Sequence, residues 1–147
     1  MGLHHVDHYT IETHDLEATL RFYCDLLGLK NGHRPELPFP GAWLYCENEK
    51  PTVHVMVVEG ANPAPRSGYL HHVSFQSTNA EEIRSKLQKA GVDFKVVVLP
   101  GFGNTQFFMK DPSGVSVELI FPPSETRQSN IDAQDSGNKE NFFLKEG

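Results

Sequence analysis

Several things are scarce in this 147-residue chain, and each scarcity narrows what it can be. There are only two cysteines, Cys24 and Cys46. They are too few for a disulfide framework and form no CxxC pair, so they read as reduced thiols. Basic residues are outnumbered, with 13 Lys and Arg against 19 Asp and Glu, for a net charge of −6 and a pI near 5.7. With no cluster of Lys or Arg either, a nucleic-acid partner is excluded. No run of about 18 apolar residues exists, and residues 1–20 lack the basic start and apolar core of a signal peptide. A cytoplasmic protein with no membrane partner is expected. Apolar residues make up 38%, which is low for a globular chain and suggests that part of it is unpacked. The length suits one domain, or two small modules sharing a core.

What the chain does have is a repeat. The strand-like stretch Val6-Asp7-His8-Tyr9-Thr10-Ile11 returns as Leu70-His71-His72-Val73-Ser74-Phe75, and each leads into an amphipathic helix pattern. His8 and His72 are 64 residues apart, and so are His54 and Glu118. Two independent ionisable pairs sharing one offset mark an internal duplication. The first copy has a strand over 3–13, a helix capped by Asp15 over 16–27 with Gly28 as its stop, a Pro-rich stretch over 34–41, and strands over 42–46 and 52–59. A Pro/Gly linker fills 60–68. The second copy has a strand near 69–77, a helix over 80–90 opened by an Asn79/Glu82 capping box, and strands near 93–99, 105–110 and 115–121. The spans are thus a first βαβββ module over 1–59, a linker, a second βαβββ module over 69–121, and a polar, aperiodic tail over 122–147 expected to be disordered.

Strand alternation then sorts the side chains by face. Tyr9 and Ile11 face the first helix, so His8 faces away; Val73 and Phe75 do the same for His72. Val53, Val55 and Val57 leave His54 on the opposite side, as Val117, Leu119 and Phe121 leave Glu118. Two imidazoles and a carboxylate with open positions match a divalent-metal triad of the type used by iron(II) oxygenases, made here by His8, His72 and Glu118. For His54 three roles stay open: a fourth ligand, an acid–base group, or a histidine that only lines the cleft. Leu44 lies ten residues before His54, as Phe108 lies ten before Glu118. On that correspondence Leu44 and Phe108 line the cleft and Trp43 packs in the core. Met56 and Ile120 add to an apolar pocket, with Thr10, Ser74 and Gln106 as its polar handles. His4, His5, His14 and His71 are assigned no role.

Beyond this, His8-x6-Asp15-Leu16-Glu17, Arg21-Phe22-Tyr23 and Leu27-Gly28-Leu29, with the closing run Asp111-Pro112-Ser113-Gly114-Val115-Ser116-Val117-Glu118-Leu119, resemble the vicinal oxygen chelate superfamily over about residues 3–121. That group includes glyoxalase I, extradiol dioxygenases, fosfomycin resistance enzymes and bleomycin resistance proteins. The resemblance implies an α+β fold in which paired βαβββ modules form an open, U-shaped mixed sheet around a divalent metal, with helices outside. It also implies a homodimer, and His8, His72 and Glu118 at the ligand positions. Glyoxalase I enzymes typically carry Glu where this chain has His54, whereas extradiol dioxygenases place an acid–base histidine there. The expectation is therefore a metal-dependent dioxygenase-like enzyme, with Fe2+ favoured over Mn2+, Zn2+ or Ni2+, acting on a small molecule held by two adjacent oxygens. The alternatives are a glyoxalase-I-like lyase or isomerase working through a metal-bound enediolate, and a non-catalytic, antibiotic-binding type of protein. Phe108 and Leu99 depart from the tyrosine and histidine expected of the extradiol pattern.

Overall fold

A computed structural model describes residue 6 and residues 8–60, 70, 72–99 and 102–127. The tail beyond 127 and nearly all of the 60–68 linker lie outside the described residues. The chain divides into two compact units, Met1–His71 with Lys110–Val115, and His72–Met109 with Ser116–Gly147. Each contains one four-stranded mixed sheet, so the fold class is α+β, built on βαβββ units.

In the first unit the sheet order is β1-β4-β3-β2, where β1 is Tyr9–Thr13, β2 Lys30–Gly32, β3 Gly41–Tyr45 and β4 Pro51–Val57. β1 runs parallel to β4, and β3 runs antiparallel to both β4 and β2. The three-residue β2 is exposed throughout and has no apolar alternation, which is why no strand is foreseen there. Between β1 and β2 the helix opens as expected, with the Asp15 carboxylate accepting from the Ala18 N–H at 2.9 Å. Regular α-helix covers only Leu16–Leu20 (α1) and then widens into a π-helical stretch over Arg21–Leu26. Gly28, at φ 85°, ends it in the left-handed conformation that glycine adopts without strain. Thr19 of α1 reaches Thr13 of β1 at 2.9 Å, which fixes the face of β1 carrying Ile11 and Thr13 as the one under the helix. That face and the buried Leu44, Val53 and Val55 make the core with Phe22 and Tyr23. Gly41 is required at its place, because a Cβ there would stand 2.1 Å from the Val55 carbonyl oxygen.

In the second unit the order is β5-β8-β7-β6, from β5 (Val73–Gln76), β6 (Phe94–Val98), β7 (Thr105–Lys110) and β8 (Ser116–Phe121), with helix α2 at Ala80–Lys89. Phe107 anchors the helix side of the sheet. Its ring lies 4.7 Å from Phe121 and 5.2 Å from Phe94, and the Arg84 guanidinium of α2 sits 5.1 Å above it. The buried rings of Phe107 and Phe121 and the fully buried Leu87 and Val117 each contribute about 1.5–3 kcal/mol. The start of α2 corrects one expectation. Asn79 adopts a left-handed backbone, φ 63°, and its side chain makes no capping bond. The Ala80 N–H is instead capped by the Glu125 carboxylate at 2.8 Å. Glu125 belongs to a short 3-10 turn, Pro123–Glu125, in the segment that sequence places at the start of the polar tail. Thr126 continues this docking, bonding the Gly103 carbonyl at 2.6 Å and the Thr105 hydroxyl at 2.7 Å.

Candidate functional site

The duplication is reproduced in the hydrogen-bonding register. In the first unit Tyr9 pairs with Val53 and Thr10 with His54; in the second Val73 pairs with Val117 and Ser74 with Glu118. Adding 64 to each member of the first set gives the second. Since alternation puts His8 on the Thr10 side of β1 and His72 on the Ser74 side of β5, each unit sets a histidine beside its partner on the next strand.

The contacts follow this geometry. His72 Nε2 lies 3.0 Å from Glu118 Oε2. Glu118 is only 5% exposed, and its other oxygen, Oε1, accepts a short hydrogen bond from the Gln106 amide. Phe108 meets the His72 ring edge-on with centroids 6.0 Å apart, so Gln106 and Phe108 share the Glu118 face of β7 as expected. In the first unit the His8 ring stacks on His54 at 3.8 Å and 13°. Thr10 and Ser74 are exposed, and Met56 and Ile120 half-buried, on the strands that carry these residues.

One residue expected in the pocket is not on that face. Leu44 is completely buried and pairs with Val53, on the helix side of the sheet. Its place is taken by Trp43, which pairs directly with His54 and stacks on it at 4.2 Å and 10°. The cause is a register shift between Leu44 and Tyr45: Leu44 pairs with Val53 but Tyr45 with Pro51, leaving Thr52 as an extra residue. A single inserted residue flips every side chain beyond it to the other face, so counting ten back from His54 as from Glu118 is off by one. Pro51 was the available signal, since proline inside a hairpin marks a strand start or a bulge.

A second polar cluster, unforeseen from sequence, lies in the core of the first unit. Tyr23 donates its hydroxyl to Asp111 Oδ2 at 2.9 Å, and the side chain of Tyr9 lies beside Tyr23. Asp111 Oδ1 accepts from the Ser113 and Val115 N–H groups at 2.9 and 2.8 Å. Burial pushes the Asp111 carboxyl above its usual range, against the pull of these hydrogen bonds. Burial likewise raises both tyrosines, and with the nearby Asp25 it raises the Cys24 thiol. A buried, hydrogen-bonded cluster of this kind holds the β7–β8 turn in place.

His72 and Glu118 fit a divalent cation, because they present an imidazole nitrogen and a carboxylate oxygen side by side, the donor types that such ions take. The Gln106 N–H is placed to orient that carboxylate, as the outer partners of metal ligands do. Among the described residues, no group of three or more His, Cys, Asp or Glu side chains stands ready to hold a metal. His8 is found with His54, and His72 with Glu118.

Residues 5–119 match the model of the Glyoxalase/Bleomycin resistance protein/Dioxygenase superfamily. The chain belongs to that superfamily. Among its relatives is the uncharacterized protein YwbC of Bacillus subtilis (strain 168), 26% identical over 130 residues that cover 78% of this chain and 95% of that protein. The trypanothione-dependent glyoxalase I of Leishmania major has a similar structure, with a TM-score of 0.66 at 19% identity over 92% of this chain and 99% of that one. So does TnmS3, an antibiotic-binding protein from Streptomyces sp. CB03234, with a TM-score of 0.60 at 19% identity over 83% and 98%. At such identities the structural likeness carries the superfamily's fold and not its reactions. No helix among the described residues is long and apolar enough to cross a membrane.

Proposed function

We propose that the protein is a metal-dependent enzyme resembling the extradiol dioxygenases, acting on a small, partly apolar molecule with two adjacent oxygens. The observation that carries this reading is the duplicated pairing, in which His72 faces a buried Glu118 while the equivalent position beside His8 holds His54. We assign His8, His72 and Glu118 as the ligands of a divalent ion, Fe2+ before Mn2+, Zn2+ or Ni2+. Such an ion, when bound, supplies Lewis-acid chemistry that lowers the pKa of a substrate hydroxyl. His54 is the acid–base group: its imidazole takes the hydroxyl proton and returns it to the product. Trp43, stacked on His54, restricts that ring to its own plane. Phe108 gives the substrate an apolar wall, and Gln106 a polar contact. We further expect a cytoplasmic homodimer.

The test is oxygen uptake by anaerobically purified, Fe2+-loaded protein over a panel of catechols and of thiol adducts of 2-oxoaldehydes. Uptake stoichiometric with a catechol supports the reading. Turnover of the thiol adducts without oxygen identifies a glyoxalase-type isomerase or lyase instead, the chemistry named for the Leishmania neighbour. A second reading is favoured by one specific feature, the parallel stack of Trp43, His54 and His8. Three stacked rings suit the binding of a flat small molecule, and one structural neighbour is an antibiotic-binding protein. Tight binding of an aromatic ligand with no turnover of any panel member is the result that would select it.

A further inference from the structure

Gln106 has more to do than orient a carboxylate. It is 6% exposed, on the β7 face that also carries Phe108 beside His72. The Glu118 carboxylate only accepts hydrogen bonds, so the Gln106 amide must turn its NH2 toward it, as observed. That orientation leaves the Gln106 carbonyl oxygen, Oε1, pointing elsewhere. It is buried, and no described residue donates to it. Buried polar atoms in folded proteins are nearly always paired, and leaving one unpaired is unfavourable enough to change an equilibrium several-fold or more. The donor that satisfies it must therefore come from outside the described chain.

We propose that Gln106 sets substrate specificity, by accepting at Oε1 a hydrogen bond from a hydroxyl or N–H that the ligand carries in addition to its two adjacent oxygens. This rests on the function proposed above. The binding site is thus selective for a ligand with a third polar group, a donor, and disfavours one with a methyl group in its place. Sites built to bond a substrate hydroxyl reject analogues that lack it, because the site's own buried group is then left unpaired.

The probes are pyrogallol and 3-methylcatechol, which differ in having a hydroxyl or a methyl group beside the two shared oxygens. Binding to the Zn2+-saturated protein, which supports no oxygen chemistry, is measured by calorimetry. The wild-type protein should prefer pyrogallol by about tenfold or more. Gln106→Met, of similar length but without an acceptor of comparable strength, should lose the preference and bind Zn2+ more weakly, by about 10–100-fold as for other losses around metal ligands. Gln106→Glu keeps an oxygen acceptor at the same place and should retain the preference. Equal preference in the wild type and Gln106→Met overturns the inference, as does a wild type with no preference, the result expected if water alone satisfies Oε1. Loss of the preference in Gln106→Glu as well as in Gln106→Met means that Gln106 serves packing only and overturns it too. A wild type that binds no divalent ion fails at an earlier step: it removes the proposed function, and this inference with it.

Discussion

At the scale of single residues, His54 distinguishes the two readings of the superfamily fold. It is held between two rings, and in the proposed function it moves a proton rather than holding the metal. His54→Ala should therefore keep bound metal while turnover falls by roughly 10²–10⁴-fold. Metal analysis and turnover measured on the same preparation check this; loss of metal first would make His54 a ligand. Trp43 shows why sequence alone misplaced one neighbour. Alternation was legible, and it gave His8, His54, His72, Glu118, Gln106 and Phe108 their faces. The extra residue at Thr52 was not legible from alternation, because a bulge is a matter of pairing between strands and leaves no trace in the period of either one; Pro51 alone pointed to it. Asp111 makes a pH prediction of its own. Burial raises its folded-state pKa above the ordinary value of 3.8, so the folded protein holds that proton more tightly than the unfolded chain. The stability it contributes is therefore present in full below its unfolded pKa and is lost as pH rises through the folded pKa. Compared with Asp111→Asn, the wild-type melting temperature should lose ground as pH rises above the ordinary carboxyl value of 3.8. A difference that stays constant as pH rises would contradict the direction of the shift.

At the scale of elements, most boundaries were readable because the chain marks them with local signals. Asp15 and Gly28 bracket the first helix as their chemistry requires, although the π-helical widening over Arg21–Leu26 has no sequence mark. The second helix shows what local signals omit. Its first N–H is satisfied by Glu125, 45 residues away, so a capping box read from Asn79 and Glu82 assigns the cap to the wrong residue. Glu125→Ala should cost about 1 kcal/mol, the usual worth of a cap, or about 3 °C in melting temperature for a chain of this size. Asn79→Gly should be neutral or stabilising, since glycine adopts the left-handed conformation more easily than asparagine. Thermal melts of the two variants check both statements; a larger loss from Asn79→Gly than from Glu125→Ala would restore the asparagine as the cap.

At the scale of the whole molecule, the duplication is what the sequence showed most plainly. An offset of 64 residues, read first between ionisable side chains, recurs pair by pair in the strand register of the two units. The copies have diverged at these positions: one joins His to His, the other His to a buried Glu. We propose that this second pair holds a divalent ion with His8 as a further ligand. Metal content per chain, measured on anaerobically reconstituted and desalted protein, tests it most directly. The wild type should hold close to one ion per chain, and His8→Ala, His72→Ala and Glu118→Ala, each still folded, should lose well over tenfold in affinity. A wild type that holds no metal, or a folded Glu118→Ala that holds as much as the wild type, would contradict it.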